Sequence, residues 1–224
     1  MCNEYASEAE IMAIHEALDD LIGTKTLKNL RSYPALYPDS EAPIIRIAAG
    51  GGEIATARWG MPSPAFALQG KKTDRGVTNI RNTASPHWRR WLGVERRCLV
   101  PFTRFCEPET LADGSKAKAW FAWVDDRPVG FFAGIWTPWT SVRKVKEGEV
   151  TCDLYGFLTT DANAEVAAVH PKAMPVILQS REDMALWLTA PTADALTLQR
   201  PLPDGALRRF TVPDNYLRPT APKY

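Results

Sequence analysis

The run Val129–Trp136 reads VGFFAGIW and contains no charged side chain. Three further runs share its high content of aromatic and β-branched residues, the residue types that are enriched in strands. Two shorter strands flank the turn Gly50-Gly51-Gly52. The predicted strands are therefore 44–48, 54–58, 98–102, 119–124, 129–136 and 152–159. This pattern predicts an α+β protein with mostly antiparallel, twisted sheets, a barrel-like core and short flanking helices.

Helices are predicted between these strands. Ser7 and Glu10 have the spacing of a capping box, and apolar residues from Ile11 to Ile22 follow at helical spacing. Gly23 is expected to end this helix. Further helices are predicted at 85–93, 161–169 and 180–188.

Three segments carry no helix or strand pattern. Residues 1–6 are predicted to be an extended lead, and residues 32–43, with three prolines, an irregular crossing. The Pro-rich residues 213–224 are expected to form a loosely held tail. Because no repeat or linker interrupts the chain, residues 1–224 are expected to form a single domain.

The net charge of +1 excludes a basic field over the whole surface, so a nucleic-acid site has to be a local patch. Such a patch is indicated between Lys71 and Arg97, where eight basic residues stand against two acidic ones. On charge alone, this segment is either a solvated face or the contact surface for an anionic partner.

The four cysteines, Cys2, Cys98, Cys106 and Cys152, form no Cys-x-x-Cys pair and have no histidine cluster beside them. We therefore expect no metal site and no other cofactor. The first residues are polar and acidic, unlike a signal peptide, and no apolar run reaches the length of a membrane span. These features predict a cytoplasmic protein with reduced thiols and no membrane partner.

Cys2 directly follows Met1, and its small side chain permits removal of that methionine. A cysteine exposed in this way carries a free α-amine and a thiol two carbons apart. The amine has a reference pKa of about 7.7–8.0 and the thiol one of about 8.5, so both are usable nucleophiles near neutral pH. This pair suits an aldehyde, because the amine forms an imine and the thiol then closes a five-membered thiazolidine. An incidental second cysteine looks the same, so position alone does not establish the chemistry.

Four groups of motifs follow Met1-Cys2 in a fixed order. They are Trp59-Gly60-Met61-Pro62; Asn79-Ile80-Arg81; Arg97-Cys98-Leu99-Val100-Pro101 with Phe105-Cys106-Glu107; and Thr159-Thr160-Asp161-Ala162-Asn163 with His170 and Met174-Pro175. Over roughly residues 1–215 these motifs resemble the SOS response-associated peptidase family, also called the SRAP domain. The resemblance implies a DNA-damage protein that crosslinks covalently to abasic sites, a lyase-like activity, with autoproteolytic removal of Met1.

The resemblance also implies four catalytic roles. Cys2 matches the nucleophile that forms the thiazolidine with the ring-opened sugar, and Asn79 matches the residue that orients the Cys2 end and the sugar. Glu107 matches the catalytic carboxylate, and His170 matches the histidine that acts on the sugar ring. Taken singly, Asn79, Glu107 and His170 are equally well explained as a turn residue, a strand-end charge and a helix-end residue.

Arg81 matches an arginine that contacts the DNA backbone. Binding of single-stranded DNA needs cations for the phosphates and aromatic rings that stack on bases. The expected DNA-binding residues are Arg81, Lys71, Lys72, Arg75, Arg89, Arg90, Trp59 and Phe66. Since no motif reads base edges, the expected partner is single-stranded DNA with abasic sites, bound by a monomer that is nucleoid-associated when on DNA.

Three departures from the family pattern bear on this interpretation. Glu4 replaces a DNA-binding arginine, Cys106 and Pro108 replace the aromatic neighbours of Glu107, and one extra residue separates His170 from Met174. A negative charge at Glu4 is expected to repel phosphate. One alternative function is a cysteine peptidase or amidohydrolase with Cys2 as nucleophile and His170 as base. Another is a single-strand binder that forms no covalent bond.

Overall fold

The computed structural model describes residues 2–9, 11–22, 32–49 and 51–210. Its strands, in chain order, are β1 (Glu4–Ser7), β2 (Tyr33–Leu36), β3 (Glu41–Ala48), β4 (Gly51–Trp59), β5 (Asn79–Ile80), β6 (Arg97–Phe102), β7 (Arg104–Thr110), β8 (Lys116–Trp123), β9 (Gly130–Val142), β10 (Glu149–Thr160), β11 (Met174–Pro175), β12 (Ile177–Leu178) and β13 (Leu207–Phe210). Its helices are α1 (Ile11–Ile22), α2 (Ala65–Leu68), α3 (Pro86–Arg89), α4 (Ala164–Ala167), α5 (Arg181–Thr189) and α6 (Thr192–Ala195), with 3-10 turns at Val94–Arg96 and Leu196–Leu198. None of the helices in these ranges is both long and apolar enough to cross a membrane. Glu10, Gly23, Gly50 and the predicted tail at 213–224 lie outside the described residues.

Five strands close into a barrel. β10 pairs with β4 in parallel, whereas the contacts β4–β3, β3–β6, β6–β9 and β9–β10 are antiparallel. The apolar run that begins at Val129 supplies β9, which is buried from Gly130 to Ile135. A strand that is covered on both faces has a continuous rather than an alternating apolar pattern. The prediction of a barrel-like, mostly antiparallel core is confirmed.

A second sheet has five strands in the order β13-β8-β7-β1-β2. β1 is an inner strand of this sheet, with Glu4 opposite Cys106 of β7 and Tyr5 opposite Leu36 of β2. Pairing on both sides fixes the start of the chain. Residues 4–6 of the predicted extended lead therefore belong to an inner strand of this sheet.

Aromatic side chains pack between this sheet and the barrel. Tyr5 meets Trp59 edge to face with ring centroids 5.2 Å apart, and Phe102 stacks on Phe132 at 4.1 Å. The hydroxyl groups of Tyr5 and Tyr155 share a buried hydrogen bond of 2.6 Å. Burial of one large apolar side chain contributes about 1.5–3 kcal/mol, so this layer holds β1 firmly against the barrel.

Helices α1 and α5 cover a second apolar cluster, which contains Ile14 and Leu18 of α1 and Trp187 of α5. Arg97 is buried beneath α5, and its guanidinium donates to Trp187 O at 2.9 Å and to Ala190 O at 2.7 Å. Burial lowers the pKa of Arg97, although the nearby charge of Glu95 acts in the opposite direction. The last cation of the basic segment is therefore a structural residue that attaches a helix to the barrel.

The structure corrects several predicted boundaries. Ser7 ends β1 while α1 begins at Ile11, so Ser7 does not cap that helix. The irregular crossing predicted for 32–43 is wrong, because the segment contains β2 and the start of β3. Pro34 is tolerated since β2 is an edge strand, where a missing N–H breaks no pairing. The helices predicted at 85–93 and 161–169 shrink to the short helices α3 and α4.

Candidate active site

Cys2 lies just before β1 and is only 1% exposed. Its Sγ donates to Glu4 O at 3.4 Å. Burial raises the pKa of the Cys2 thiol well above its usual value, and the nearby ionisable groups of Glu107 and Cys106 raise it further. The thiol is therefore neutral in this state, and it needs a partner that accepts its proton when it reacts.

Asn79 holds the start of the chain. Its strand, β5, pairs in parallel with β10, where Asn79 is opposite Phe157. The Asn79 Nδ2 group donates to Cys2 O at 2.8 Å and to Thr78 Oγ1 at 2.8 Å. Its Oδ1 is buried and has no hydrogen-bond partner among the described residues. The structure thus places Asn79 against Cys2, with one acceptor still available for a ligand.

Glu107 and His170 form the acidic and basic part of the site. Glu107 lies on β7 and is 0% exposed, and its Oε2 is 3.9 Å from His170 Nδ1. Burial raises the pKa of the Glu107 carboxyl, although the charge of His170 acts in the opposite direction. Glu107 also raises the pKa of the Cys2 thiol, as expected for two ionisable groups that lie near each other.

The segment that carries His170 is fixed by its own motif. Asn163 caps α4 by accepting from Val166 N at 3.3 Å, and its own N–H points to Met174 Sδ at 3.4 Å. His170 Nδ1 lies 3.1 Å from Ala173 O. Since a carbonyl oxygen only accepts, Nδ1 carries the hydrogen in this contact. The extra residue before Met174 is accommodated by this local bond.

Glu4 does not present its charge to solvent. The Glu4 carboxylate is buried, and Lys118 Nζ lies 2.6 Å from its Oε2. Cys106 Sγ donates to the same oxygen at 3.7 Å. Burial opposes the charged form of Lys118, but the bond to Glu4 raises the Lys118 pKa overall. The charge of Glu4 is therefore compensated across the sheet by Lys118, which weakens the repulsion of phosphate that the sequence predicts.

Trp59 is fully buried rather than available to DNA. Its ring stacks on Phe157 at 5.3 Å and on Tyr155 at 6.4 Å, and Nε1 donates to Thr78 O at 3.3 Å. In this position the ring offers no face to a base, contrary to the sequence-based prediction. Trp59 instead supports the segment that leads into Asn79.

The loop after Trp59 is held by Arg143, whose side chain is 0% exposed. Arg143 donates to Gly60 O and to Arg75 O at 3.1 Å each, and it pairs with Asp39 at 3.1 Å. Gly60 has a φ of 137°, and a Cβ there would lie 2.4 Å from Arg143 Nη2, so glycine is required. Burial acts to raise the pKa of Asp39, but hydrogen bonds from three cations, Arg143 among them, hold it well below its usual range.

The predicted DNA-binding cations are exposed. Lys71, Lys72 and Arg75 line a cleft of about 510 Å³ together with Ser63 and Thr73. Phe66 on α2 is 76% exposed, so it is available for stacking. Basic side chains and an exposed ring on neighbouring segments fit a nucleic-acid surface.

Three more cations lie outside this cleft. Arg81 follows β5 directly and pairs with Asp161 at 2.5 Å, and its side chain is 44% exposed. Arg89 and Arg90 are exposed at the end of α3, and the Arg90 guanidinium lies 4.1 Å above the Trp91 ring. Of these three cations, Arg81 is only two residues from Asn79, whose side-chain amide donates to Cys2 O.

Two polar residues near these groups were not predicted from the sequence. Lys118 neutralises Glu4 from another strand, and Thr159 on β10 has a buried Oγ1 without a partner among the described residues. Lys118 has no local signal, because its contact with Glu4 depends on strand pairing between distant segments, whereas Thr159 belongs to the motif Thr159–Asn163 but was assigned no role. Across the described ranges, no group of three or more His, Cys, Asp and Glu side chains is placed to hold a metal ion.

Known proteins are similar to this chain along nearly its whole length. A family model described as SOS response associated peptidase (SRAP) matches residues 1–216. A solved structure from Bordetella bronchiseptica has a TM-score of 0.71 and 24% identity, covering 95% of this chain and 100% of that one. One from Bacteroides thetaiotaomicron has a TM-score of 0.72 and 21% identity, covering 98% and 97%. A phage-related protein from Bordetella bronchiseptica has a TM-score of 0.66 and 19% identity, with 94% of both chains covered. No curated protein matches. The solved structures show the fold alone.

Proposed function

The chain belongs to the SOS response-associated peptidase family, and we propose that it senses abasic sites in single-stranded DNA by bonding to them covalently through Cys2. The observation that carries this proposal is the 2.8 Å hydrogen bond from Asn79 Nδ2 to Cys2 O. It fixes the start of the chain, and we assign Glu107 and His170, whose Oε2 and Nδ1 atoms are 3.9 Å apart, to the same site. A terminal amine and thiol condense with an aldehyde, and a carboxyl and an imidazole can carry out the proton transfers that accompany the reaction.

The proposed reaction begins after removal of Met1. The Cys2 amine adds to the aldehyde of the ring-opened sugar and gives a carbinolamine, which loses its hydroxyl as water and becomes an iminium. The thiol then adds to the same carbon and closes the thiazolidine. The net change is the loss of one water, with one C–N and one C–S bond formed and no change of oxidation state.

Glu107 is proposed to move the protons. Its raised pKa favours the protonated carboxyl, which donates to the departing hydroxyl. The resulting carboxylate then accepts the thiol proton, so Glu107 returns to its starting form. A thiol with a raised pKa needs such a partner, and the influence of Glu107 on the Cys2 pKa supports their proximity.

His170 is proposed to open the sugar. Its Nδ1 lies 3.1 Å from Ala173 O. We assign to Nε2 the acceptance of the anomeric hydroxyl proton, which the imidazole then returns to the ring oxygen as the C–O bond breaks. Opening the cyclic sugar exposes the aldehyde that Cys2 attacks. Arg81 and the other exposed cations are proposed to bind phosphates, with Phe66 stacking on a base.

The test uses an oligonucleotide that contains one abasic site. We expect the protein to form a band that resists denaturation, and we expect Cys2→Ala to abolish it. Since the alanine in this variant still has an α-amine once Met1 is removed, the variant should retain an imine that borohydride traps. Cys98→Ala, another substitution of a buried cysteine, serves as the matched control and should crosslink normally. A stable band of equal intensity with Cys2→Ala would exclude the proposal.

Removal of Met1 is measured separately by intact mass. We propose that the chain hydrolyses the Met1–Cys2 bond itself: water adds to the Met1 carbonyl carbon with loss of a proton to Glu107, and Glu107 returns that proton to the Cys2 nitrogen as the bond breaks and free methionine leaves. Glu107→Gln should then retain Met1 when it is made in a cell-free system without aminopeptidase, whereas the unaltered chain should lose it. Loss of Met1 from both chains would contradict self-cleavage and leave the crosslinking test unaffected.

A cysteine peptidase is the second candidate, since the family description contains that activity. Peptidases of this kind keep the nucleophile as a thiolate with a lowered pKa. Here burial raises the pKa of Cys2, which favours a single reaction at the chain start over turnover of external peptides. Cleavage of unstructured peptides in trans that disappears with Cys2→Ala would establish the peptidase instead.

A further inference from the structure

Gln199 connects three segments around the candidate site. It follows the 3-10 turn Leu196–Leu198, and its Nε2 donates to Arg81 O at 2.8 Å and to Thr159 O at 2.9 Å. Its Oε1 accepts from Thr83 Oγ1 at 2.9 Å. Every polar atom of this side chain therefore bonds to the segment after β5 or to the end of β10.

These hydrogen bonds lie where the backbone pairing between β5 and β10 ends. The parallel pairing of β5 with β10 ends at Ile80 and Leu158. The next carbonyl groups on the two strands, those of Arg81 and Thr159, are the ones that the Gln199 amide joins. The Gln199 side chain thus bridges the two strands one residue beyond the last pair that the backbones form. This bridge lies directly beside the Arg81–Asp161 ion pair.

We propose that Gln199 is a positioning residue for DNA binding, which fixes the backbone of Arg81 so that its guanidinium meets a phosphate. Arg81 is 44% exposed and its backbone lies past the end of β5, where the strand pairing with β10 no longer holds it. An ordered arginine binds phosphate more tightly than a mobile one, because less conformational entropy is lost on binding. The inference rests on the role proposed for Arg81.

Gln199→Met tests the inference, since it keeps the length of the side chain and removes both donors. Binding to undamaged single-stranded DNA is measured by fluorescence anisotropy over a range of salt concentrations. We expect affinity to fall roughly fivefold, the factor that one net hydrogen bond is worth. The slope of log affinity against log salt should fall by about 0.7, the value for one phosphate contact on a single strand.

A double-mutant cycle with Arg81→Ala separates positioning from a general loss of structure. If Gln199 acts through Arg81, adding Gln199→Met to Arg81→Ala should weaken binding no further. Gln179→Met is the matched control, because the hydrogen bonds of Gln179 in the described part of the chain use its backbone. Should Gln199→Met fail to fold, Thr83→Val removes the bond that orients the amide and should shift the salt slope in the same direction.

Unchanged affinity and salt slope in Gln199→Met, or additive effects in the cycle, would overturn the inference. The measurement uses undamaged DNA, so it is independent of covalent chemistry. A protein that binds this DNA through Arg81 but never crosslinks to an abasic site would contradict the proposed function and leave the role of Gln199 standing.

Discussion

Asn79→Ala removes the amide that fixes the start of the chain. Asn79 Nδ2 donates 2.8 Å bonds to Cys2 O and Thr78 Oγ1, so the substitution leaves the buried region around Cys2 without a donor. A buried acceptor that loses its partner costs about 1–3 kcal/mol. If this cost falls entirely on the reacting arrangement, the crosslinking rate constant drops by roughly 5- to 160-fold, since 1.36 kcal/mol is about a factor of ten.

The assay is a single-turnover time course with saturating abasic oligonucleotide, read on a denaturing gel. Saturation removes any difference in DNA affinity, so the rate constant reports on the site itself. Urea unfolding of the same variant gives the change in folding free energy. The two measurements together show whether the lost bond acts on the reaction or on the fold.

Asn82→Ala is the matched control, because Asn82 lies three residues after Asn79, in the segment that follows β5, and is exposed. We expect this variant to crosslink at the unaltered rate. The reasoning is refuted if Asn79→Ala loses about 1–3 kcal/mol of folding free energy while its rate constant stays unchanged. Asn79 would then only stabilise the fold.

Four further predictions concern the scaffold and the DNA surface. Arg143→Met removes a buried cation from its carboxylate and carbonyl partners, so the free energy of unfolding in urea should fall by about 3 kcal/mol or more. The pKa of Asp39 is lowered in the folded state, so the contribution of this carboxylate to the free energy of unfolding is fully present above the unfolded pKa of about 3.9 and is lost as the pH falls below that value. Asp39→Asn should therefore be less stable than the unaltered chain at pH 7. The same variant should lose less stability between pH 5 and pH 3. Phe66→Ala should weaken binding of single-stranded DNA by about 1–3 kcal/mol in anisotropy titrations. Trp59→Phe should lower the melting temperature of the protein without changing its affinity for this DNA.

Much of the fold follows from local sequence patterns. The run at Val129–Trp136 predicts a strand because its residue types are those of a strand buried on both faces, and β9 is such a strand. β2 was missed because Pro34 indicates irregular structure when considered locally. Its edge position, which makes the proline harmless, depends on β1 and is set by the whole sheet.

The site divides in the same way. Order and spacing of motifs assign Asn79, Glu107 and His170, and the structure places Asn79 against Cys2 and Glu107 within 3.9 Å of His170. The ion pair that permits Glu4 to be buried has no local signal in the sequence, because its partner Lys118 lies on a strand more than a hundred residues away. Trp59 was misassigned for a related reason, since an aromatic residue next to glycine and proline fits both an exposed loop and the core.

Burial of Cys2 distinguishes the two candidate chemistries. A peptidase needs a thiolate before its substrate arrives, and a raised thiol pKa works against it. Condensation with an aldehyde starts instead from the α-amine, whose reference pKa of about 7.7–8.0 provides a neutral fraction near pH 7. The thiol is needed only after the iminium has formed, when its proton passes to a carboxylate that has just given up its own. The environment that suppresses the first reaction therefore suits the second, since it keeps the thiol protonated until an electrophile is bonded beside it.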